Sequence, residues 1–215
     1  MDLALQIVIG AVVGYLFGMI PTGAMIGWRH GVDLTRVGSG STGATNVLRT
    51  FGTRWAIVVF AGDLIKGAVA VLVVGWLVGG APWSTATWGQ VIASAFAVIG
   101  HTFSPLLGFK GGKGVMAGGG GLLVISPVGF LAALIAGVSG VVLSRYMSVG
   151  SIAGATVAGV SVIWQGLVSD NPLPLIFYGT AVPGFVFWTH RSNIQRLLTG
   201  TERRVSRGTT KRPAA

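Results

Sequence analysis

Cysteine is absent from the 215 residues of this chain, which excludes disulfides and thiolate metal sites. Charge is scarce as well, because Asp, Glu, Lys and Arg make up 9% of the sequence, against roughly 25% in an ordinary soluble domain. Five residues are acidic, and they are scattered: Asp2, Asp33, Asp63, Asp170 and Glu202. The clustered carboxylates that metal-dependent membrane enzymes need are therefore not predicted.

The residues that are present indicate an integral membrane protein. Hydrophobic types make up 52% of the chain and the mean hydropathy is +0.76. The 36 glycines suit helices that approach each other closely in lipid. The net charge of +10 points to phosphate-bearing partners, either a lipid surface or a substrate.

Seven apolar segments predict an all-α bundle of about seven transmembrane helices. The N-terminus is expected outside, because Arg29 follows the first segment and no Lys or Arg precedes it. Seven basic residues after position 190 require a cytoplasmic C-terminus, so the apolar stretch 115–144 is divided at Pro127. The expected spans are Leu3–Trp28 (kinked or broken at Pro21), Trp55–Leu77, Trp88–Gly100, 115–126, 128–144, 148–168 and 173–189.

This layout also predicts the domain organisation. Residues 1–204 form one transmembrane catalytic domain, and 205–215 form a basic, disordered tail. The uncharged segment Gly79–Thr87 is expected as an outer turn.

The first of three polar segments runs from Gly38 to Arg49 and includes Ser39, Thr45 and Asn46. Glycines and short polar side chains let the backbone approach a polar ligand closely. The guanidinium of Arg49 adds a planar fork for an anion, which favours a site over the alternative of a plain Ser/Gly linker.

The second polar segment is Gly108-Phe109-Lys110-Gly111-Gly112-Lys113-Gly114. Successive glycine N–H groups can turn toward one anion, two lysines add charge, and a helix starting at Val115 would aim its N-terminus at the same point. We predict a phosphate site at the membrane edge; a flexible basic loop that sets topology is the alternative. The nucleotide-binding pattern G-x-x-x-x-G-K-[ST] is not met, which excludes an NTPase loop.

Three ionisable residues stand close to these segments. Asp63 and Lys66 share a helix face and can pair, either structurally or as part of a site. His101 precedes Lys110 by nine residues and either faces the same cavity or packs at the interface.

The third polar segment is His190-Arg191-Ser192-Asn193-Ile194-Gln195-Arg196, in which His190 and Asn193 share a helix face. The predicted topology places all three segments on the cytoplasmic side. Together they offer cations, amides and hydroxyls that suit more than one phosphate group beside the lipid phase.

In this order the three segments resemble the signature motifs of the bacterial acyl-phosphate:glycerol-3-phosphate acyltransferases, and the hydrophobic layout is similar up to about Arg204. The pair Asp63 and Lys66 also resembles the second helix of that family. The chain departs from the family pattern at Ser41, Ser104 and Met116-Ala117, where Asn, Pro and Ala-Thr are usual.

The resemblance implies transfer of a fatty acyl group from acyl phosphate to the 1-hydroxyl of glycerol 3-phosphate, the first step of phospholipid synthesis, at the bacterial cytoplasmic (inner) membrane. It implies no metal, cofactor, nucleic acid or obligate protein partner. We predict as catalytic Ser39, Arg49, His101, Lys113, His190 and Asn193. Substrate contacts are expected from Ser39, Thr45, Asn46, Arg49, Lys110, Gly111, Gly112, Lys113, Gly114, His190 and Asn193. The general base is left open between His101, His190 and a substrate phosphate oxygen.

One other class of protein uses a similar anion clamp. A transporter for organic phosphates would bind the same groups without chemistry, but it needs a polar path to the outer face. The outer half of the sequence offers no basic lining for such a path.

Overall fold

The computed structural model describes residues 1–79 and 86–205, and these form helices joined by loops. In chain order the helices are α1 (Leu3–Gly18), α2 (Thr22–Arg29), α3 (Ala44–Phe51), α4 (Thr53–Val78), α5 (Trp88–Thr102), a short 3-10 turn (Pro105–Leu107), α6 (Val115–Ile125), α7 (Pro127–Ser144), α8 (Met147–Leu167), α9 (Pro172–Thr189) and α10 (Arg191–Leu198). Most of the predicted outer turn Gly79–Thr87 and nearly all of the predicted tail lie outside the described residues.

The first apolar segment breaks where Pro21 was expected to break it. Helix α1 ends at Gly18 and α2 begins at Thr22. The break leaves backbone carbonyls without helical partners, and side chains from distant parts of the chain supply the hydrogen bonds. Ser104 Oγ donates to the Met19 carbonyl at 2.7 Å, and Lys66 Nζ donates to the Ile20 carbonyl at 2.7 Å.

Five segments of the described chain are long and apolar enough to cross a membrane: Leu3–Arg29, Thr53–Val78, Trp88–Leu107, Pro127–Ser144 and Met147–Leu167. The division at Pro127 is confirmed, since α6 ends at Ile125 and α7 starts at Pro127. Helix α6 has 11 residues and is too short to span alone. Helix α9 carries three prolines and is not among the five. The count of seven spans and the orientation of the termini stay predictions.

Glycines allow the helices to pack at backbone distance. Helix α1 lies against α5, where a Cβ at Gly14 would come within 2.3 Å of the Ala93 carbonyl oxygen. Helix α4 lies against α6 in the same way, since a Cβ at Gly120 would meet the Leu64 carbonyl oxygen at 1.9 Å. Alanine does not fit at either position, so these close approaches depend on glycine.

The apolar core lies between α4, α5, α6, α8 and α9, around Val71, Val98, Leu122, Val162 and Tyr178. A smaller cluster of Leu34, Val47 and Val59 anchors the first polar segment against α4. The three polar segments converge at one end of the bundle, hereafter the polar end. Two contacts there tie the second and third segments together: Lys113 Nζ donates to Asn193, and Thr189 Oγ1 donates to the Lys113 carbonyl at 3.1 Å.

Candidate active site

The buried Asn46 side chain holds the loop of the first polar segment by hydrogen bonds to its backbone. Its amide nitrogen donates to the carbonyls of Leu34, Val37 and Ser41 at 3.2, 3.0 and 2.9 Å. Its oxygen accepts from the Ser39 N–H at 3.1 Å, and the side chain is buried. The expectation that the Asn46 side chain contacts substrate is therefore not supported, because its polar atoms hold the loop that carries Ser39.

The glycine-lysine loop uses two of its glycines differently from the prediction. The N–H groups of Gly111 and Gly112 donate to the carbonyls of Thr102 and His101 at 3.0 and 3.1 Å, at the end of α5. They are thus engaged within the protein rather than free for an anion. A Cβ at Gly112 would lie 2.0 Å from Nε2 of His101, so the loop rests directly on the imidazole.

Under this loop lies a closed polar network. Asp63 Oδ1 is 2.8 Å from Lys66 Nζ and 3.4 Å from His101 Nδ1, and it accepts from the Thr22 hydroxyl. His101 Nδ1 also lies 2.9 Å from Lys66 Nζ. All three ionisable side chains are buried. The structure therefore places His101 with the ion pair, beneath the loop rather than among the groups at the polar end.

Free backbone donors occur one step further along the chain. Gly114 adopts a left-handed conformation (φ 78°) and α6 begins at Val115, as predicted. Within the described residues, the N–H groups of Lys113 and Gly114 have no protein acceptor. The first-turn N–H groups of α6 are unpaired for the same reason as in any helix. These donors lie at the N-terminal, positive end of the α6 dipole and therefore suit an anion.

The polar end holds a second carboxylate that the sequence did not single out. Glu202 Oε1 accepts from Asn193 Nδ2 at 2.7 Å and from Ser148 Oγ at 2.9 Å, and Oε2 pairs with Arg196 Nε at 2.7 Å. Asn193 in turn accepts from Lys113 Nζ. The signal for Glu202 was its position as a lone acid among Arg196, Arg203 and Arg204.

Cations outnumber that carboxylate. Lys113, Arg49, Arg196 and Arg203 lie close to Glu202 or to one another. Arg49 also approaches the Arg203 carbonyl at 3.5 Å. Burial lowers the pKa of Lys113 to about 8, with Arg196 and Arg49 adding to that effect and Glu202 opposing it. The group of Lys113, Arg49, Arg196, Arg203, Asn193 and Glu202 is hereafter the cationic cluster.

His190 lies at the junction of α9 and α10 and is buried beside this cluster. Its Nδ1 is 2.8 Å from the Val186 carbonyl, which accepts only, so Nδ1 carries the hydrogen and Nε2 keeps its lone pair. Burial, and then the nearby charge of Lys113, lowers the pKa of His190 to about 4. The imidazole is therefore neutral at physiological pH.

A shallow cavity of about 220 Å³ adjoins the loop on the side of α9. Lys110, Lys113 and Arg191 bring positive charge to it, and Phe103, Phe109 and Trp188 form an aromatic wall. Trp188 and Phe109 are exposed, so the wall continues toward the outside of the bundle. Lys113 belongs to both the cavity and the cationic cluster, which makes it the link between the two.

The structure thus brings together four of the predicted residues, Arg49, Lys113, His190 and Asn193. Thr45 lies in the first turn of α3, partly buried, and Ser39 is exposed on the loop above Asn46. Asp63, Lys66 and His101 form the separate closed network. Glu202 and Arg196 belong to the cluster, and Ser148 donates to Glu202, although the sequence analysis did not name these three as site residues.

A helical bundle of membrane-spanning length with a cationic cluster at one end is typical of a membrane protein that binds anionic compounds. Comparison with known proteins is more specific. Residues 8–200 match the family model described as glycerol-3-phosphate acyltransferase, and the chain belongs to that family.

Curated relatives of the same description cover most of the chain. One from Thermus thermophilus is 40% identical over 199 residues, covering 90% of this chain and 92% of the relative. One from Deinococcus radiodurans is 37% identical, covering 94% and 98%. One from Crocosphaera subtropica is 43% identical, covering 90% and 91%.

Solved structures agree. The glycerol 3-phosphate form of PlsY, an integral membrane glycerol 3-phosphate acyltransferase, superimposes with a TM-score of 0.83 at 32% identity, over 93% of this chain and 96% of that one. The lysophosphatidic acid form of the same enzyme gives a TM-score of 0.81 at 30% identity, over 93% and 95%. The protein is accordingly a multi-pass membrane protein of this enzyme family.

Proposed function

We propose that this protein transfers a fatty acyl group from acyl phosphate to the 1-hydroxyl of glycerol 3-phosphate, giving 1-acylglycerol 3-phosphate (lysophosphatidic acid) and phosphate. The excess of cations over carboxylate in the cationic cluster carries the proposal, because it suits a phosphate dianion beside the apolar part of the bundle. A solved relative with forms named for glycerol 3-phosphate and for lysophosphatidic acid supports it. We place the site on the cytoplasmic face of a bacterial inner membrane.

The arrangement supports two separate binding regions. Arg49, Lys113 and Asn193 suit the phosphate and hydroxyl groups of glycerol 3-phosphate. The cavity beside Lys110 and Lys113 suits an acyl phosphate, whose anionic head would meet the lysines and whose chain would follow the aromatic wall of Phe103 and Trp188 into lipid. Lys113, between them, is placed to stabilise negative charge as the acyl group is transferred.

In the reaction the 1-hydroxyl oxygen bonds to the acyl carbon, and the bond from that carbon to the phosphate oxygen breaks. The hydroxyl proton needs an acceptor. His190 presents Nε2 as an acceptor, but its low pKa makes it a weak base. A phosphate oxygen, with a second pKa near 6, accepts a proton more readily. We therefore assign the proton to the leaving phosphate and the orientation of the hydroxyl to His190.

The test uses purified protein in detergent with palmitoyl phosphate and glycerol 3-phosphate, following phosphate release. Release that requires glycerol 3-phosphate is expected, and Lys113→Ala and Arg49→Ala should each reduce kcat/KM about 100-fold or more. Arg54→Ala is the matched control, since that guanidinium stacks on Trp55, 5.7 Å from the ring centroid, and should leave the rate unchanged.

Two results would overturn the proposal. Folded wild-type protein that releases no phosphate with any acyl-chain length would leave an organic phosphate transporter as the better explanation, to be checked by uptake into vesicles. Equal or greater activity with acyl coenzyme A in place of acyl phosphate would replace the donor and retain the acyltransferase class.

A further inference from the structure

The Asn193 side chain lies between two partners with opposite requirements. Lys113 Nζ donates to Oδ1, and Glu202 Oε1 accepts from Nδ2 at 2.7 Å. An inverted amide would set a nitrogen donor against the ammonium group and an oxygen against the carboxylate. The position of Glu202 therefore determines which amide atom faces Lys113.

Glu202 is itself fixed from several directions. Besides Asn193, the carboxylate accepts from Ser148 Oγ at 2.9 Å in the first turn of α8 and from Arg196 Nε at 2.7 Å in α10. The backbone segment that carries Glu202, residues 199–205, is held by hydrogen bonds at both ends. The Thr199 N–H donates to the Gln195 carbonyl at 3.0 Å, and the Val205 N–H donates to the Arg145 carbonyl at 2.8 Å.

We propose that Glu202 is a positioning residue for the reaction: its carboxylate holds the Asn193 amide in one orientation and sets a negative charge behind the Lys113 ammonium group. This role rests on the proposed function, in which the Lys113 cation stabilises charge on the reacting groups. Glu202 acts through Asn193 and Lys113 and needs no contact with substrate.

The charges around Lys113 predict the direction in which its titration moves when the charge of Glu202 is removed. Burial, Arg196 and Arg49 favour the neutral amine, and Glu202 is the acid that opposes them. His190, on the adjoining junction, is neutral above about pH 5 because its pKa is about 4. Removing the Glu202 charge should therefore lower the pH at which Lys113 loses its proton, by about one unit.

The experiment measures lysine protonation directly and does not depend on turnover. Purified protein is labelled with trace acetic anhydride from pH 6 to pH 11, and the acetylation of Lys113 and Lys110 is quantified by mass spectrometry. Lys110 is exposed in the same loop and serves as the internal reference. In Glu202→Gln the Lys113 midpoint should fall by about one pH unit relative to that reference.

Three further variants separate charge from packing. Ser148→Ala removes a hydrogen bond to Glu202 but keeps its charge, so the Lys113 midpoint should not change. Glu202→Asp should restore most of the wild-type midpoint. Arg196→Gln removes a cation and should move the midpoint upward, which gives a test of opposite sign if Glu202→Gln does not fold.

Activity is the second measurement. The alkaline limb of the kcat/KM profile for glycerol 3-phosphate should move to lower pH in Glu202→Gln by the same amount as the labelling midpoint. An unchanged Lys113 midpoint in Glu202→Gln, or a downward shift in Arg196→Gln, would overturn the role of Glu202. A shifted Lys113 midpoint in Glu202→Gln, found together with a wild type that transfers no acyl group, would instead overturn the proposed function alone.

Discussion

Two carboxylates, Asp63 and Glu202, are each held by several donors, but their electrostatic surroundings differ. Asp63 is matched by Lys66 in contact, with His101 and the Thr22 hydroxyl completing a closed network. Glu202 stands among four cations, Lys113, Arg49, Arg196 and Arg203. A balanced buried network has no charge left to offer a ligand, whereas an unbalanced one attracts an anion. We therefore expect the first to be structural and the second to suit phosphate.

The largest effect is expected from Asp63→Asn, which tests the closed network around Asp63. The change leaves Lys66 buried without its counter-charge and should destabilise the fold by about 3–5 kcal/mol. Thermal unfolding in detergent measures it. Asp33→Asn is the matched control, because Asp33 pairs with Arg36 at an exposed position, and its unfolding temperature should hardly move. A double variant, Asp63→Leu with Lys66→Met, should recover much of the loss; equal loss in single and double variants would refute the assignment.

The second prediction concerns the pH dependence of stability and tests His190, which lies beside the cationic cluster. His190 has a folded pKa of about 4, below the value of about 6.5 in an unfolded chain. The unfolded state therefore binds more protons between these values, and stability should fall as pH drops from about 6.5 toward 4, by up to roughly 3 kcal/mol. His190→Asn keeps a donor for the Val186 carbonyl and removes the titration, so its stability should depend less steeply on pH over that interval. Identical slopes in both proteins would contradict the assignment.

Gly112 connects the Asp63 network with the cationic cluster, since the loop that presents Lys113 lies directly on His101. Gly112→Ala would set a Cβ 2.0 Å from Nε2 of His101, and the overpacking should cost about 1–3 kcal/mol. Displacement of the loop by about 1 Å should also lower activity up to about 100-fold. Gly184→Ala is the control, because a Cβ there meets nothing within 4 Å. Full activity of Gly112→Ala at wild-type stability would show that the Asp63 network and the cationic cluster are independent of each other.

Much of this architecture could be predicted from the sequence, because apolar length and breaker residues act locally. The break at Pro21 and the helix start at Val115 depend on neighbouring residues alone. The division at Pro127 needed a local breaker together with the charge of the C-terminal residues. The placement of polar atoms could not be predicted in the same way. Asn46 and His101 have side chains that suit a substrate, and their burial under backbone depends on distant contacts with Leu34 and Gly112.

Glu202 shows the converse. In the sequence it is one acid in a basic stretch, typical of a solvated helix end. Its partners Ser148 and Asn193 lie 54 and 9 residues away, so its role depends on tertiary packing that no local pattern encodes. Excess positive charge at the polar end was predictable from composition, but the one carboxylate that organises it was not.

The smallest effect is expected at Ser104, where the family usually has proline and this chain has a hydroxyl. Ser104 Oγ donates to the Met19 carbonyl at the break after α1, on the side of the balanced network. Ser104→Ala should cost about 1 kcal/mol in stability, because a partly buried carbonyl loses its partner, and should leave kcat/KM unchanged. Ser192→Ala, at an exposed position in α10, should change neither. If Ser104→Ala lowered activity without lowering stability, the hydroxyl would act on the site, and the division between a structural network and a phosphate-binding cluster would have to be redrawn.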